Sequence, residues 1–212
     1  MSNNSDWARD SEDSVLDRAL ELAPRLGWSP AMAAEAIVQA GLDPSLGELL
    51  LPSGPADLAA LLARRFDQLT LTKLIAANPA PMKIRDRIRL GLVTHLEVST
   101  ECPQATRRWA GFLALPTNFA LAMRLVWASS DMIWRWTGDT STDENHYSKR
   151  AILSGILISA LARDQSHGRE AAESYIDARI ENVMTFEKWK AGLGPFRAGR
   201  SVVEALAKLR YA

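Results

Sequence analysis

Residues 15–42, VLDRALELAPRLGWSPAMAAEAIVQAGL, decide the fold. Val15, Leu16, Ala19, Leu20 and Ala23 recur at helical spacing, behind Ser11 and Ser14 as candidate N-caps. Pro24 falls near the last turn of this helix and Gly27 ends it. Ser29-Pro30 then joins a capping hydroxyl to a first-turn proline, whose fixed φ suits helix entry and whose missing N–H leaves nothing unpaired there. The second helix runs through Val38, and Gly41 stops it.

Working outward, Asp43-Pro44 starts a short third helix, and Pro52-Ser53-Gly54-Pro55 breaks the chain before a longer fourth one over 57–77. A second break, Asn78-Pro79-Ala80-Pro81, precedes a helix over 82–101 with Ile84, Ile88, Leu92 and Leu96 on one face. Further helices are predicted over 105–115, 118–137, 147–163 and 168–191, and Gly192, Gly194 and Pro195 separate a last one over 196–211. No stretch shows a convincing period of two. The fold class expected is all-α, in three parts: 1–80, 81–191 and a terminal amphipathic helix at 192–212.

Of the 212 residues 47% are hydrophobic and 24% charged, enough for a sizeable core. The 25 basic and 25 acidic residues cancel, so any electrostatic function must come from local segregation of charge. Cys102 is the only cysteine; no intramolecular disulfide can form, which suits a reducing compartment. Residues 1–14 are polar and acidic, with neither an apolar signal core nor an Arg-rich, acid-poor transit pattern. The longest apolar run, 151–162, is interrupted by Ser154 and Ser159 and falls short of the roughly 20 residues a bilayer needs. The location expected is cytoplasmic and peripheral to the inner membrane, or the mitochondrial matrix for a processed eukaryotic form.

The segments 15–22, Gly27-Trp28 and Ala40-Gly41-Leu42 resemble the N-terminal domain of TetR-type repressors, whose second and third helices form a helix-turn-helix. The resemblance covers about the first quarter of the chain and implies a fold, not a function. DNA binding needs cations, and this region has the wrong sign. Up to residue 63 only Arg9, Arg18 and Arg25 stand against ten acidic residues, from Asp6 to Asp57. The candidate reading helix, Pro44-Ser45-Leu46-Gly47-Glu48-Leu49-Leu50, has no Arg, Lys, Asn or Gln to meet a base edge. The helix-turn-helix reads as degenerate, and no nucleic-acid partner is expected.

Catalytic signals are equally sparse. His95, His146 and His167 lack metal-ligand spacing among themselves or with Cys102, and no phosphate loop or nucleophile elbow occurs. His95 and Glu97 lie two apart, so they do not face each other on a helix; His95 reads as a surface or boundary histidine. Asp143-Glu144 falls in a polar loop, and Asp17 with Glu21 on a solvated face. No enzyme activity, cofactor or metal is expected.

The most unusual stretch runs from Asp131 through Trp134, Trp136, Gly138, Asp139, Ser141, Thr142 and Asp143 to His146, Tyr147 and Arg150. Physically, a tryptophan-bearing helix ends at Gly138, a loop rich in capping residues follows, and a second apolar helix starts near Asp143 or Asn145. The loop thus joins two helices as an antiparallel pair. The pattern Asp-x-x-Trp-x-x-x-Gly-Asp-x-Ser-Thr-Asp, with Tyr and Arg close behind, resembles the hallmark of the Coq-nine family of ubiquinone-biosynthesis accessory proteins. Met82-Lys83-Ile84-Arg85 and Leu113-Ala114-Leu115-Pro116 with Asn118 agree, and the resemblance spans about 82–190.

That resemblance implies a TetR-like fold that has lost DNA reading, an isoprenoid lipid or quinone precursor held among the helices, and a homodimer. It implies a partner, the di-iron demethoxyubiquinone hydroxylase, met by a patch of Asp131, Trp134, His146, Tyr147 and Arg150. Where better-known members carry Trp beside the Tyr, this chain has His146, which supplies less apolar area to an interface. For the lipid it directs attention to Phe112, Leu113, Phe119, Met123, Val126, Trp127, Ile152 and Ile156. By residue type alone these fit a filled core as well as a cavity.

In the last helix Val202, Leu206 and Leu209 fall at i, i+4 and i+7, with Phe196 and Val203 nearby and Arg197, Arg200, Lys208 and Arg210 supplying charge. A basic amphipathic helix after a Gly/Pro hinge reads as membrane-surface attachment, or as docking on its own domain or a second copy. Two other functions fit the same sequence. A ligand-responsive TetR-type repressor would be told apart by DNA binding, and a generic hydrophobic-ligand carrier by the lipid extracted from it.

Overall fold

A computed structural model describes residues 3–140 and 144–192. Among them the chain forms nine α-helices and no strand: α1 (Asn3–Leu26), α2 (Pro30–Gln39), α3 (Pro44–Leu50), α4 (Pro55–Ala76), α5 (Ile84–Ser99), α6 (Pro103–Leu113), α7 (Phe119–Trp136), α8 (Glu144–His167) and α9 (Arg169–Gly192). A 3₁₀ turn over Pro116–Asn118 leads into α7. The all-α, TetR-like bundle expected from the sequence is the fold observed.

The local start signals act as read. Ser29 Oγ accepts from the Met32 N–H at 3.2 Å, and Asp43 Oδ1 accepts from the Ser45 N–H at 2.9 Å, each with a proline in the first turn. One boundary differs. α1 begins at Asn3, well before Ser11 and Ser14, because the polar residues ahead of them extend the helix. Ser11 is buried inside α1, where it caps nothing.

Two apolar clusters organise the bundle. The first takes Leu16, Ala19, Met32, Ala36, Leu58 and Leu62 from α1, α2 and α4, and reaches α6 through Trp109. The Trp109 ring meets Phe66 edge-on at 5.6 Å, and its Nε1 donates to the Ala59 carbonyl at 3.1 Å. The second cluster joins Leu92 and Leu96 of α5, Ile133 of α7, Leu153 and Leu157 of α8, and Ile176 of α9. At Gly91 the helices α5 and α7 approach so closely that a Cβ there would stand 2.6 Å from Ile133 Cγ2.

Charge ties the helices together from outside. Arg64 binds Glu12 at 2.9 Å, and Arg65 binds Asp13 at 3.0 Å and Asp17 at 2.5 Å, so α4 neutralises much of the acidic α1. Asp17 remains exposed, as read from the sequence, and its carboxylate pairs with Arg65 at the surface. Burial works against the Arg65 charge, but the hydrogen bonds and charges of Asp13 and Asp17 outweigh it and raise the Arg65 pKa. On the far side Arg89 of α5 holds Asp177 of α9 at 2.6 Å. In α3, Gly47 is buried against Ile37 of α2, while Leu49 and Glu48 face outward. The degenerate helix-turn-helix is thus a packed helix pair whose outer face presents leucine and glutamate, not cations.

Candidate lipid cavity and partner face

Helices α4 to α8 line a partly open cavity of about 580 Å³. Ala63 and Phe66 of α4, Leu92 and Leu96 of α5, Trp109 and Leu113 of α6, Phe119, Met123, Leu125 and Val126 of α7, and Leu157 and Leu161 of α8 line it. Its size falls within the roughly 300–1,000 Å³ of small-molecule sites. An apolar space this large offers water few partners and leaves its walls short of dispersion contacts, so an apolar occupant gains on both counts.

Four of the residues the sequence singled out for lipid, Leu113, Phe119, Met123 and Val126, lie in this wall. The other four are placed elsewhere. Phe112 packs against the first apolar cluster. Trp127 sits by the Tyr147 ring, centroids 6.2 Å apart. Ile152 and Ile156 line a shallow groove of about 420 Å³ with Tyr175 and Arg179 of α9. The cause is helical phase: one residue turns the side chain by about 100°, so Leu157 and Leu161 face the cavity while Ile152 and Ile156 face α9.

Polar side chains interrupt the wall at a few points: His95 and Ser99 of α5, Arg107 of α6, Ser129 of α7 and Gln165 of α8. His95 Nε2 lies 3.3 Å from Asp67 Oδ1, with its side chain only 13% exposed. It is thus a boundary histidine whose partner comes from α4. Sequence reading missed this pair because the two residues are 28 apart. It missed Phe66, Leu92 and Leu96 as lining residues too, since helical spacing shows which face is apolar but not which void it borders.

The Asp131–Arg150 stretch folds around a buried guanidinium. Gly138 closes α7 with φ +90°, a left-handed conformation that side chains rarely adopt, and turns the chain toward α8. Arg150, 2% exposed, then reaches back from α8: Nε donates to Asp131 Oδ1 at 2.6 Å, and Nη1 to Asp139 Oδ2 and to the His146 carbonyl, both at 3.1 Å. Lys149 Nζ donates to Asp139 Oδ1 at 2.7 Å and stands 5.3 Å from the centre of the Trp134 ring, whose Nε1 donates to the Lys149 carbonyl. A buried charge of this kind is tolerable only when paired and hydrogen-bonded, as here. Ser141, Thr142 and Asp143 lie outside the described residues.

The five residues expected at a partner face are therefore brought together but do not play equal parts. Arg150 is interior and fastens the two helices. Asp131 and Trp134 are partly covered by bonds to Arg150, Arg135 and Lys149. Tyr147 projects, 64% exposed, with the His146 ring edge-on at 5.2 Å. Phe196, Val202, Val203, Leu206 and Leu209 lie outside the described residues. Among those described, no single helix is long and apolar enough to cross a membrane, and no three His, Cys, Asp or Glu side chains group as metal ligands would.

A model of the COQ9 family matches residues 119–187, the span holding α7, α8 and most of α9. The ubiquinone biosynthesis protein COQ9-B, mitochondrial, of Xenopus laevis is 28% identical over 189 residues, covering 82% of this chain and 62% of that protein. The human COQ9 is 25% identical, covering 80% of this chain and 56% of its own length; its counterpart in Schizosaccharomyces pombe is 27% identical, covering 80% and 68%. The chain thus spans about three fifths of the length of the vertebrate relatives it matches. With the buried-arginine loop at the centre of the matched span, the similarity to the COQ9 family is concentrated in α7, α8 and α9.

Proposed function

We propose that this chain is a non-catalytic accessory protein of ubiquinone biosynthesis that holds an isoprenoid quinone precursor in the α4–α8 cavity. It presents that precursor to the demethoxyubiquinone hydroxylase. The observation that carries this reading is the 580 Å³ apolar cavity itself. The names of the relatives supply the pathway, and the cavity supplies a means. Each methylene of a polyprenyl tail moved from water into such a space contributes about 0.8 kcal/mol, so a few isoprene units suffice for stable retention. The projecting Tyr147, backed by the Asp131–Arg150 clamp, supports a partner face beside the α7–α8 loop.

Deletion of the gene followed by quinone analysis tests the pathway. Accumulation of demethoxy-ubiquinone supports the proposal, and an unaltered quinone profile overturns it. Native mass spectrometry of the purified chain tests the cavity, with a co-purifying prenyl lipid as the expected result. Removal of residues after Gly194 tests the membrane role read from the last helix: liposome flotation is expected to be lost. A homodimer is expected from the resemblance, and sedimentation at micromolar concentration decides it.

A further inference from the structure

Most of the cavity wall needs no polar partner, but one end of it does. Gln165, near the end of α8, lines the cavity, and its side-chain Nε2 is shut off from solvent without a hydrogen-bond partner in the protein. Buried donors in folded proteins are nearly always satisfied, and leaving one unmade is costly. Nothing about packing explains an amide here, since the neighbouring Leu161 fills the same wall with carbon alone.

A second group converges on the same end. Arg107 of α6, exposed at the mouth, donates Nη2 to the backbone carbonyl of Gln165 at 3.2 Å. A guanidinium carries five N–H donors in a fixed fork, well suited to oxygen acceptors. The end is also anchored. Arg169 donates to Asp164 Oδ1 at 2.7 Å and bonds Thr100 Oγ1, which fixes the last turns of α5 and α8 on either side of Gln165. The lining also includes the apolar side chains of Phe66, Trp109 and Val126.

We infer that this end of the cavity seats the head of an amphiphile, and that the head is a hydrogen-bond acceptor. A quinone-ring or phosphate oxygen is received by Gln165 Nε2 and the Arg107 guanidinium, with the tail running along Phe66, Trp109 and Val126. The inference rests on reading the cavity as a lipid site; it adds which end holds the head and what chemistry the head carries.

Equilibrium binding to the purified, delipidated chain tests it with three probes: decylubiquinone, farnesyl diphosphate and the headless n-hexadecane. Gln165→Leu removes the donor with little change of volume. It is expected to bind the probe with the matching head about tenfold more weakly, the loss of one such hydrogen bond, while hexadecane binding is unchanged. Arg107→Gln, at an exposed position that folding tolerates, weakens farnesyl diphosphate far more than decylubiquinone if phosphate is the head, and both by similar, smaller factors if the quinone is. Undiminished binding of both headed probes by Gln165→Leu overturns the head site while hexadecane binding leaves the lipid reading standing. So does an equal loss of all three probes, which would report a changed cavity shape. Binding of none of the three by the parent chain overturns both. If Gln165→Leu fails to fold, full affinity of Arg107→Gln for both headed probes overturns the head site.

Discussion

Arg150 donates from Nε to Asp131 Oδ1 across 2.6 Å, so the end of α7 and the start of α8 are fastened by a charge pair that water hardly reaches. The same guanidinium holds Asp139 beyond the turn, and three charged residues of the loop region settle into one another instead of into solvent.

Arg150→Met is therefore expected to destabilise the chain by about 1.5–3 kcal/mol, because it removes the buried charge-assisted hydrogen bonds and leaves Asp131 to Arg135 and Asp139 to Lys149. Arg135, 73% exposed, also binds Asp131 at 2.6 Å but from the surface. Arg135→Ala should cost no more than about 0.5 kcal/mol. Urea denaturation of the two variants measures both, and equal effects would refute the burial argument.

Tyr147→Ala separates partner binding from folding. Its ring is exposed and lies beside those of His146 and Trp127, so unfolding free energy should shift by less than about 0.5 kcal/mol. Affinity for the hydroxylase should fall at least tenfold, as for other aromatic anchors. Pull-down or calorimetry that finds full affinity would remove Tyr147 from the interface. His146→Trp, which restores apolar area, should strengthen the same complex.

Gly91→Ala brings a methyl against Ile133 Cγ2, on a β-branched side chain that a helix allows little rotation. Overpacking of this kind costs about 1–3 kcal/mol, offset by the roughly 1 kcal/mol alanine gains in helix propensity. A net loss is expected. Ile133→Leu removes the clashing branch, so the double variant should recover part of the loss; additive effects in thermal melts would contradict the contact.

Ala122→Phe projects a ring into the cavity from α7. Co-purifying lipid should disappear from the native mass spectrum while the helical circular dichroism stays unchanged. Lipid retained at parental levels would place it elsewhere on the protein.

Genomic fragments at low salt should show no sequence-specific retardation by this chain. The acidic α1 is neutralised by Arg64 and Arg65 of α4, and α3 shows leucine and glutamate outward. A discrete shifted band competed only by its own sequence would reverse that reading.

The helices were legible because their ends are chemically marked: Ser29-Pro30, Asp43-Pro44, Gly27, Gly41 and Gly138 all act locally. The start of α1 was not, since Asn3 to Asp10 carry no periodic apolar face yet continue the helix. At the site, the loop motif identified the right span but not the burial of Arg150, which depends on Asp131 and Asp139 closing over it from the preceding helix and turn. Phe112 and Leu113 both pack against the first apolar cluster, and only the phase of α6 brings Leu113 to the cavity as well. The Asp67 partner of His95 and the unpaired amide of Gln165 gave no signal, because whether a buried polar group finds a partner is settled by residues far away in the chain.

The cavity borrows its walls from both apolar clusters, Phe66 and Trp109 from one and Leu92 and Leu157 from the other. Whatever fills it becomes mortar between two courses of brick. Binding energy then reappears as resistance to melting, growing with the logarithm of ligand concentration. A chain carrying such a ligand is expected to hold its two halves to a single transition, and loss of the ligand to loosen the seam that runs between them.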